Sequence, residues 1–194
     1  MSPQTFIFFG PSGSGKGTQA RLLIEEIKKR DQKKVLYLET GDKLREFADE
    51  SSWTSELTKD SLSKGELLPE FLPIWIWTEY FVRHMSGDEH VILDGSPRKI
   101  EEASILDSAI KFYKRENPTV ISIEITPEEA RRRLLERARS DDNEKDIAER
   151  LNWYEINVRP AINFFKNHDG YKFIAINGER PIEEVSKELI QKTL

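Results

Sequence analysis

The chain has 194 residues, enough for one globular unit that buries roughly 70% of the surface its unfolded form exposes. Lys and Arg number 30 against 35 Asp and Glu, and the net charge of −5 argues against a broad basic face for nucleic acid, leaving anionic ligands to a local positive pocket. There is no cysteine, which excludes a disulfide framework and any thiolate metal site.

The start, MSPQTFIFFG, has no basic n-region and too short an apolar run for a signal peptide, and no later stretch reaches the length of a membrane span. A soluble cytoplasmic protein is expected, with no membrane and no nucleic acid among its partners. Phe6–Phe9 then reads as a buried strand. GPSGSGKGTQ, Gly10 to Gln19, follows at once and leads into a helix from about Thr18. Glycines between a strand and a helix let backbone N–H groups wrap a phosphate, and Lys16 adds a point charge at the β- and γ-phosphates. An ordinary glycine turn would not need the lysine at this spacing. The generic pattern places Ser or Thr directly after that lysine to hold magnesium; here Gly17 stands there and Thr18 comes one place later.

Val35–Leu38 is the second predicted strand. FLPIWIWTEYF, Phe71 to Phe81, has helical spacing and reads as core rather than as a base-stacking platform or membrane patch. The third strand, Val91–Leu93, places Asp94 at the carboxyl end of the sheet, where ligands gather. Val120–Ile125 is the fourth. Thr126-Pro127-Glu128-Glu129 then starts a helix with a capping threonine, a proline at the first position and a glutamate three residues after the cap. On that helix Glu128 with Arg132, and Glu129 with Arg133, are predicted i,i+4 ion pairs worth about 0.2–0.5 kcal/mol each, and Arg131 and Arg132 read as solvated surface. Asp141 and Asp142 precede the next helix, so they either cap it or grip nucleotide or lid. Ile147, Leu151, Tyr154 and Val158 share one helical face, and Pro160 is expected to end or kink that helix. Phe173–Ile176 is the fifth strand. His84, His90 and His168 have no partner at metal-ligand spacing. Alternating strands and helices with right-handed crossovers predict an α/β sheet covered on both faces.

GKGTQ resembles the variant loop of nucleoside monophosphate kinases, and four further strings in order resemble adenylate kinase. They are TGDKLR (Thr40–Arg45), KGELLP (Lys64–Pro69), DGSPR (Asp94–Arg98) and RARSDDNE (Arg137–Glu144), the last followed by Arg150. The resemblance spans nearly the whole chain. It implies a P-loop three-layer α/β/α fold with a five-stranded parallel sheet, a helical monophosphate-binding insert and a very short lid. The core would comprise 1–43, 86–136 and 144–194, the insert about 44–85, and the lid about 137–143.

The reaction implied is reversible, magnesium-dependent transfer of the ATP γ-phosphoryl to AMP, giving two ADP. Its attacking group is already an anion at neutral pH, so the chemistry requires clustered positive charge and excluded water rather than a general base. The resemblance implies catalytic roles for Lys16, Arg98, Arg137, Arg139 and Arg150. Gly13, Ser14, Gly15, Lys16, Gly17, Thr18, Arg133 and Arg137 would bind ATP, with Arg133 stacked on its base. Thr40, Arg45, Leu68, Gly95, Arg98 and Glu102 would bind AMP, and Asp141 and Asp142 would serve the lid. Asp94 would hold Mg2+ through water, since Gly17 removes the usual hydroxyl ligand. No zinc is expected, because the lid has no cysteines. The partners implied are ATP, AMP and ADP, bound by a monomer.

Three departures from the family pattern bear on detail. Glu102 stands where adenylate kinases usually have a base-reading glutamine; an ionised glutamate only accepts, matching guanine's two donors better than adenine's donor and acceptor. GMP, or CMP and UMP, are therefore alternative acceptors. Only Ala138 separates Arg137 from Arg139, a cover expected to exclude water less completely unless a neighbouring subunit completes it. Ser96 stands where the family usually has an aromatic residue. Readings of other classes are a P-loop kinase for a non-nucleotide small molecule and a catalytically silent nucleotide-binding module.

Overall fold

The structure is a computed structural model that describes residues 1–138 and 142–194; the predicted site residues Arg139 and Asp141 lie outside the described residues. Five strands, β1 (Thr5–Phe9), β2 (Val35–Glu39), β3 (His90–Asp94), β4 (Thr119–Glu124) and β5 (Lys172–Asn177), form one parallel sheet in the order β2-β3-β1-β4-β5. These are the five predicted strands with ends shifted by a residue or two. β1 and β3 are buried along their whole length, which is why they read as unbroken apolar runs rather than alternating ones.

The helices are α1 (Lys16–Arg30), α2 (Thr40–Ala48), α3 (Trp53–Ser63), α4 (Phe71–His84), α5 (Ile100–Phe112), α6 (Pro127–Arg137), α7 (Glu144–Trp153), α8 (Arg159–Lys166) and α9 (Ile182–Thr193). Successive strand residues point to opposite faces, so the core divides in two. Ile7, Phe9, Leu93 and Val120 pack with Trp77 and Phe81 of α4, Leu106 of α5 and Phe165 of α8. Phe6, Phe8, Ile121 and Ile123 pack with Leu23 and Ile27 of α1 and Leu189 of α9. A smaller cluster of Leu44, Leu68, Leu72 and Ile76 joins α2, α4 and the segment between α3 and α4.

Strand order positions the site. The chain leaves β1 toward β2 and β3 on one side, then crosses to β4 and β5 on the other, so the order reverses at β1. Ligands of open parallel sheets bind outside the carboxyl ends of the strands at such a reversal. The register of Phe8 against Asp94 sets the glycine loop after β1 beside the acidic end of β3.

Several local predictions need correction. α1 starts at Lys16 rather than Thr18, because Gly15 holds the N-cap position with φ +84° and turns the chain directly into the helix. Pro160 does not end the helix carrying Leu151. A π-helical turn, Tyr154–Val158, joins α7 to α8, with the Arg159 N–H bonded to Tyr154 O. Proline lacks the N–H that would bond back one turn earlier, and the wider π-turn absorbs the mismatch so that helical backbone continues. On α6 the Thr126 hydroxyl caps the Glu129 N–H as predicted. The Glu129–Arg133 pair also forms, but Arg132 bonds to Glu129 and Glu136 instead of Glu128. In α4, Leu72, Ile76, Trp77 and Phe81 are buried, while Phe71 and Trp75 face outward.

Of the three histidines, His90 is fully buried at the amino end of β3. Its Nδ1 accepts the Gln4 N–H at 3.2 Å, which leaves the proton on Nε2, 3.4 Å from Asp31. This is a structural role far from the carboxyl ends of the strands. No described helix is long and apolar enough to cross a membrane.

Candidate active site

The glycine loop is shaped by what lies behind it. Gly13 has φ +84°, and a Cβ there would come within 2.9 Å of Ala130 O and 3.2 Å of Leu134 Cγ, so the loop presses directly onto α6. Ser14 N–H bonds to Pro11 O, tightening the turn. No side chain caps α1 and no acidic residue lies in its first turn. Its leading N–H groups and the positive end of its dipole therefore stay available to an anion.

Lys16 reaches back to Pro11 O at 3.4 Å and, among the described residues, forms no ion pair. Burial lowers its pKa, opposed by the nearby Asp94 charge. It lines one cavity with Gly10, Ser12, Gly95, Arg98 and Arg150. Arg98 is held by its Nε–H bond to Gly95 O at 2.8 Å. Its Nη2 lies 3.7 Å and the Arg45 guanidinium 3.4 Å from the point where a Cβ on Gly41 would sit. Three groups from β1–α1, β3–α5 and α7 thus face one gap, and Arg45 of α2 borders it through Gly41.

Asp94 is buried, and burial raises its pKa against the pull of Lys16. Oδ2 lies 3.3 Å from the Tyr37 hydroxyl, whereas Oδ1 is buried with no hydrogen-bond partner among the described residues. Gly17 explains its own identity here, since a Cβ would stand 3.2 Å from Asp94 Oδ2 and a hydroxyl-bearing side chain would crowd the carboxylate. Glu39 shares the Tyr37 hydroxyl at 3.1 Å, and its pKa is raised, first by burial and then by Asp94.

Beyond α6, Asp142 takes a two-bond contact from Arg137, Nε–H and Nη2–H each at 2.8 Å, and a third bond from Arg150 Nη2–H at 2.8 Å. It therefore pins α6 to α7. The cap of α7 is Asn143, whose side chain accepts the Asp146 N–H at 3.0 Å. Helix capping, one of the two roles the sequence allows Asp142, is thus overturned.

The remaining predicted residues fall as follows. Ser14 is buried with its hydroxyl unpartnered, and Thr18 is exposed on the first turn of α1. Arg133 bonds to Glu129 at 2.6 Å and to Gly178 O at 2.9 Å, and does not line this cavity. The buried Thr40 hydroxyl has no partner. Arg45 pairs with Asp42 and lies 4.0 Å from Glu39. Leu68 is buried in the small cluster rather than lining the cation gap. Glu102 is 1% exposed and accepts the Arg98 N–H at 3.0 Å; burial raises its pKa. Ser96 is buried with an unpartnered hydroxyl. Tyr37 and Trp153 are site residues that motif reading missed. Neither belongs to a string with a phosphate-binding pattern, and an aromatic at strand or helix spacing carries only a core signal. A larger cavity, about 600 Å3, lies between the β4–β5 edge and the π-turn and is lined by none of the predicted cations.

A strand–glycine loop–helix with a lysine at its tip, an acidic side chain at the end of the neighbouring strand and arginines converging from two further elements define a P-loop phosphotransferase that can bring two anions together. The sequence model of the family described as adenylate kinase matches residues 8–170. Among relatives, adenylate kinase 1 of Nostoc sp. is 32% identical over 94% of this chain and 95% of its own length. The adenylate kinase of Leptospira biflexa is 33% identical over 95% and 97%, and that of Helicobacter pylori 34% over 96% and 94%. The chain belongs to the adenylate kinase family.

Two outcomes follow from the charge arrangement. Asp142→Ala leaves Arg137 and the buried Arg150 facing each other, so unfolding in denaturant is expected at about 2–3 kcal/mol less cost and kcat for phosphotransfer about tenfold lower. Asp94→Asn removes a desolvated charge. Because the folded carboxyl keeps its proton above the unfolded value of 3.8, its contribution to stability is complete below that pH and is lost as pH rises through the folded pKa. Nucleotide-free Asp94→Asn should therefore be more stable than wild type at neutral pH, with the gap closing toward about pH 4, while its phosphotransfer falls at least about 100-fold.

Proposed function

We propose that the protein catalyses reversible transfer of the γ-phosphoryl of ATP to AMP, forming two ADP. The observation that carries this is the convergence of Lys16, Arg98 and Arg150 on one gap at the reversal of the sheet, with Arg45 adjoining it. The monophosphate is itself the nucleophile and already anionic, so the residues need only hold both phosphates in line and offset their charge. Among the described residues the gap wall holds neither histidine nor carboxylate, which suits such a reaction better than phosphorylation of a neutral hydroxyl, which needs a base.

Within this reading the α1 loop and Lys16 hold the β- and γ-phosphates, Arg98 and Arg45 hold the monophosphate, and Arg137 and Arg150 cover the transferring group. Residues about 44–85 form the monophosphate-binding insert, supported by its own cluster around Leu68, and residues about 137–143 form the lid. The unpartnered buried Oδ1 of Asp94, a hard oxygen beside the phosphate loop, fits magnesium held through water. When bound with ATP, the ion would offset the charge of the phosphates. The chain is taken to act as a monomer in the cytoplasm.

AMP is the acceptor this site supports best. Burial raises the Glu102 pKa, and wherever the carboxyl keeps its proton it offers the donor and acceptor that adenine requires. Arg98 and Lys99 oppose that shift and Glu70 reinforces it.

Supplied with ADP and magnesium alone, the wild type should yield ATP and AMP in equal amounts, and Lys16→Met should lose at least about 100-fold in kcat. A small-molecule kinase would yield neither product, and a silent module would bind without turnover. Across rising pH, kcat/KM for AMP relative to GMP should fall as Glu102 ionises, whereas Glu102→Gln should hold a flat AMP preference. A wild-type ratio independent of pH would remove Glu102 from base selection.

A further inference from the structure

Trp153 ends α7 and lines the same cavity as Lys16, Arg98 and Arg150. Its ring centroid is 5.8 Å from the Arg98 guanidinium carbon, within cation–π range. Its Nε1–H is buried and, among the described residues, has no hydrogen-bond partner. An indole N–H can only donate, and a buried donor without an acceptor disfavours the folded chain until an acceptor arrives. Among the described residues, the walls of this cavity carry no carboxylate, so no anionic side chain in them competes for that role. The cations around it select an anionic oxygen.

We propose that Trp153 is a binding residue of the acceptor-phosphate site: its ring backs Arg98, and its Nε1–H donates to an oxygen of the anion seated among Arg98, Lys16 and Arg150. This rests on the phosphotransferase reading above for the identity of the anion, AMP. The bland account makes Trp153 a packing residue, since it also touches the core formed by α8 and the sheet. The two accounts differ in what removal of the N–H does to the empty and the loaded protein.

Trp153→Phe keeps an aromatic face and deletes the donor; Trp153→Leu deletes the face as well. For Trp153→Phe the expected results are a nucleotide-free Tm at or above wild type, a KM for AMP about tenfold higher, and kcat within about threefold. That change corresponds to about 1.4 kcal/mol of lost binding. Trp153→Leu should raise KM further, because Arg98 then loses its backing. The rise in Tm on adding inorganic phosphate, a single phosphoryl group like that of the acceptor and a probe that depends on no base and no turnover, should shrink in Trp153→Phe. A Trp153→Phe protein with a lowered nucleotide-free Tm but wild-type KM and wild-type phosphate response would overturn the assignment and leave packing as the role. If wild type forms no ADP at all, the phosphotransferase reading fails, and the phosphate response still decides whether Trp153 serves an anion site.

Discussion

Like charges repel, and the central constraint on this fold is to keep Lys16, Arg98 and Arg150 around one gap whose described walls carry no acidic group. In a partly desolvated cleft that repulsion is stronger than in bulk water, so the cations must be fixed from behind. Arg98 is tethered by Gly95 O, and Arg150 by Asp142 and the Asp146 carbonyl. Among the described residues, Lys16 reaches only Pro11 O. Its burial and lowered pKa reflect a site prepared for negative charge rather than satisfied in its absence.

The carboxylates stand one layer further out. Asp94 and Glu39 share the Tyr37 hydroxyl at the carboxyl ends of β3 and β2, and Asp142 faces Arg137 and Arg150 from just before α7. Acidic groups next to the gap orient or recruit cations without occupying the place of a phosphate. The same separation explains why the loop after Lys16 has glycine, since the Asp94 carboxylate takes up the room a side chain would need.

Much of this was legible in residues whose identity is forced by backbone geometry or burial. Gly13 and Lys16 announced the phosphate loop, and the doubly buried strands announced themselves as apolar runs. Thr126 capped its helix as its position demanded. Side-chain choices among near-equal neighbours were not legible. Arg132 had carboxylates within reach at Glu128, Glu129 and Glu136, and which pairs form depends on rotamers that spacing does not specify. Asp142 and Asn143 are both good capping residues one position apart, so only tertiary placement decided that Asn143 caps while Asp142 meets two arginines. Trp153 was invisible as a site residue for a different reason. Its partner, Arg98, is far away in sequence, and no local pattern encodes a contact between the end of one helix and the loop before another.

The π-turn between α7 and α8 carries one more residue per hydrogen-bonded loop than an α-turn, and in a helix each residue advances the chain by about 100° around the axis. Its presence sets the phase between the gap-facing end of α7 and the core-facing side of α8. Excising a single residue from this turn would leave both flanking segments helical, yet Trp153 and Phe165 could no longer point to their present neighbours together. Loop-like tolerance to length change is thus absent from a stretch that, by composition, looks like any amphipathic helix.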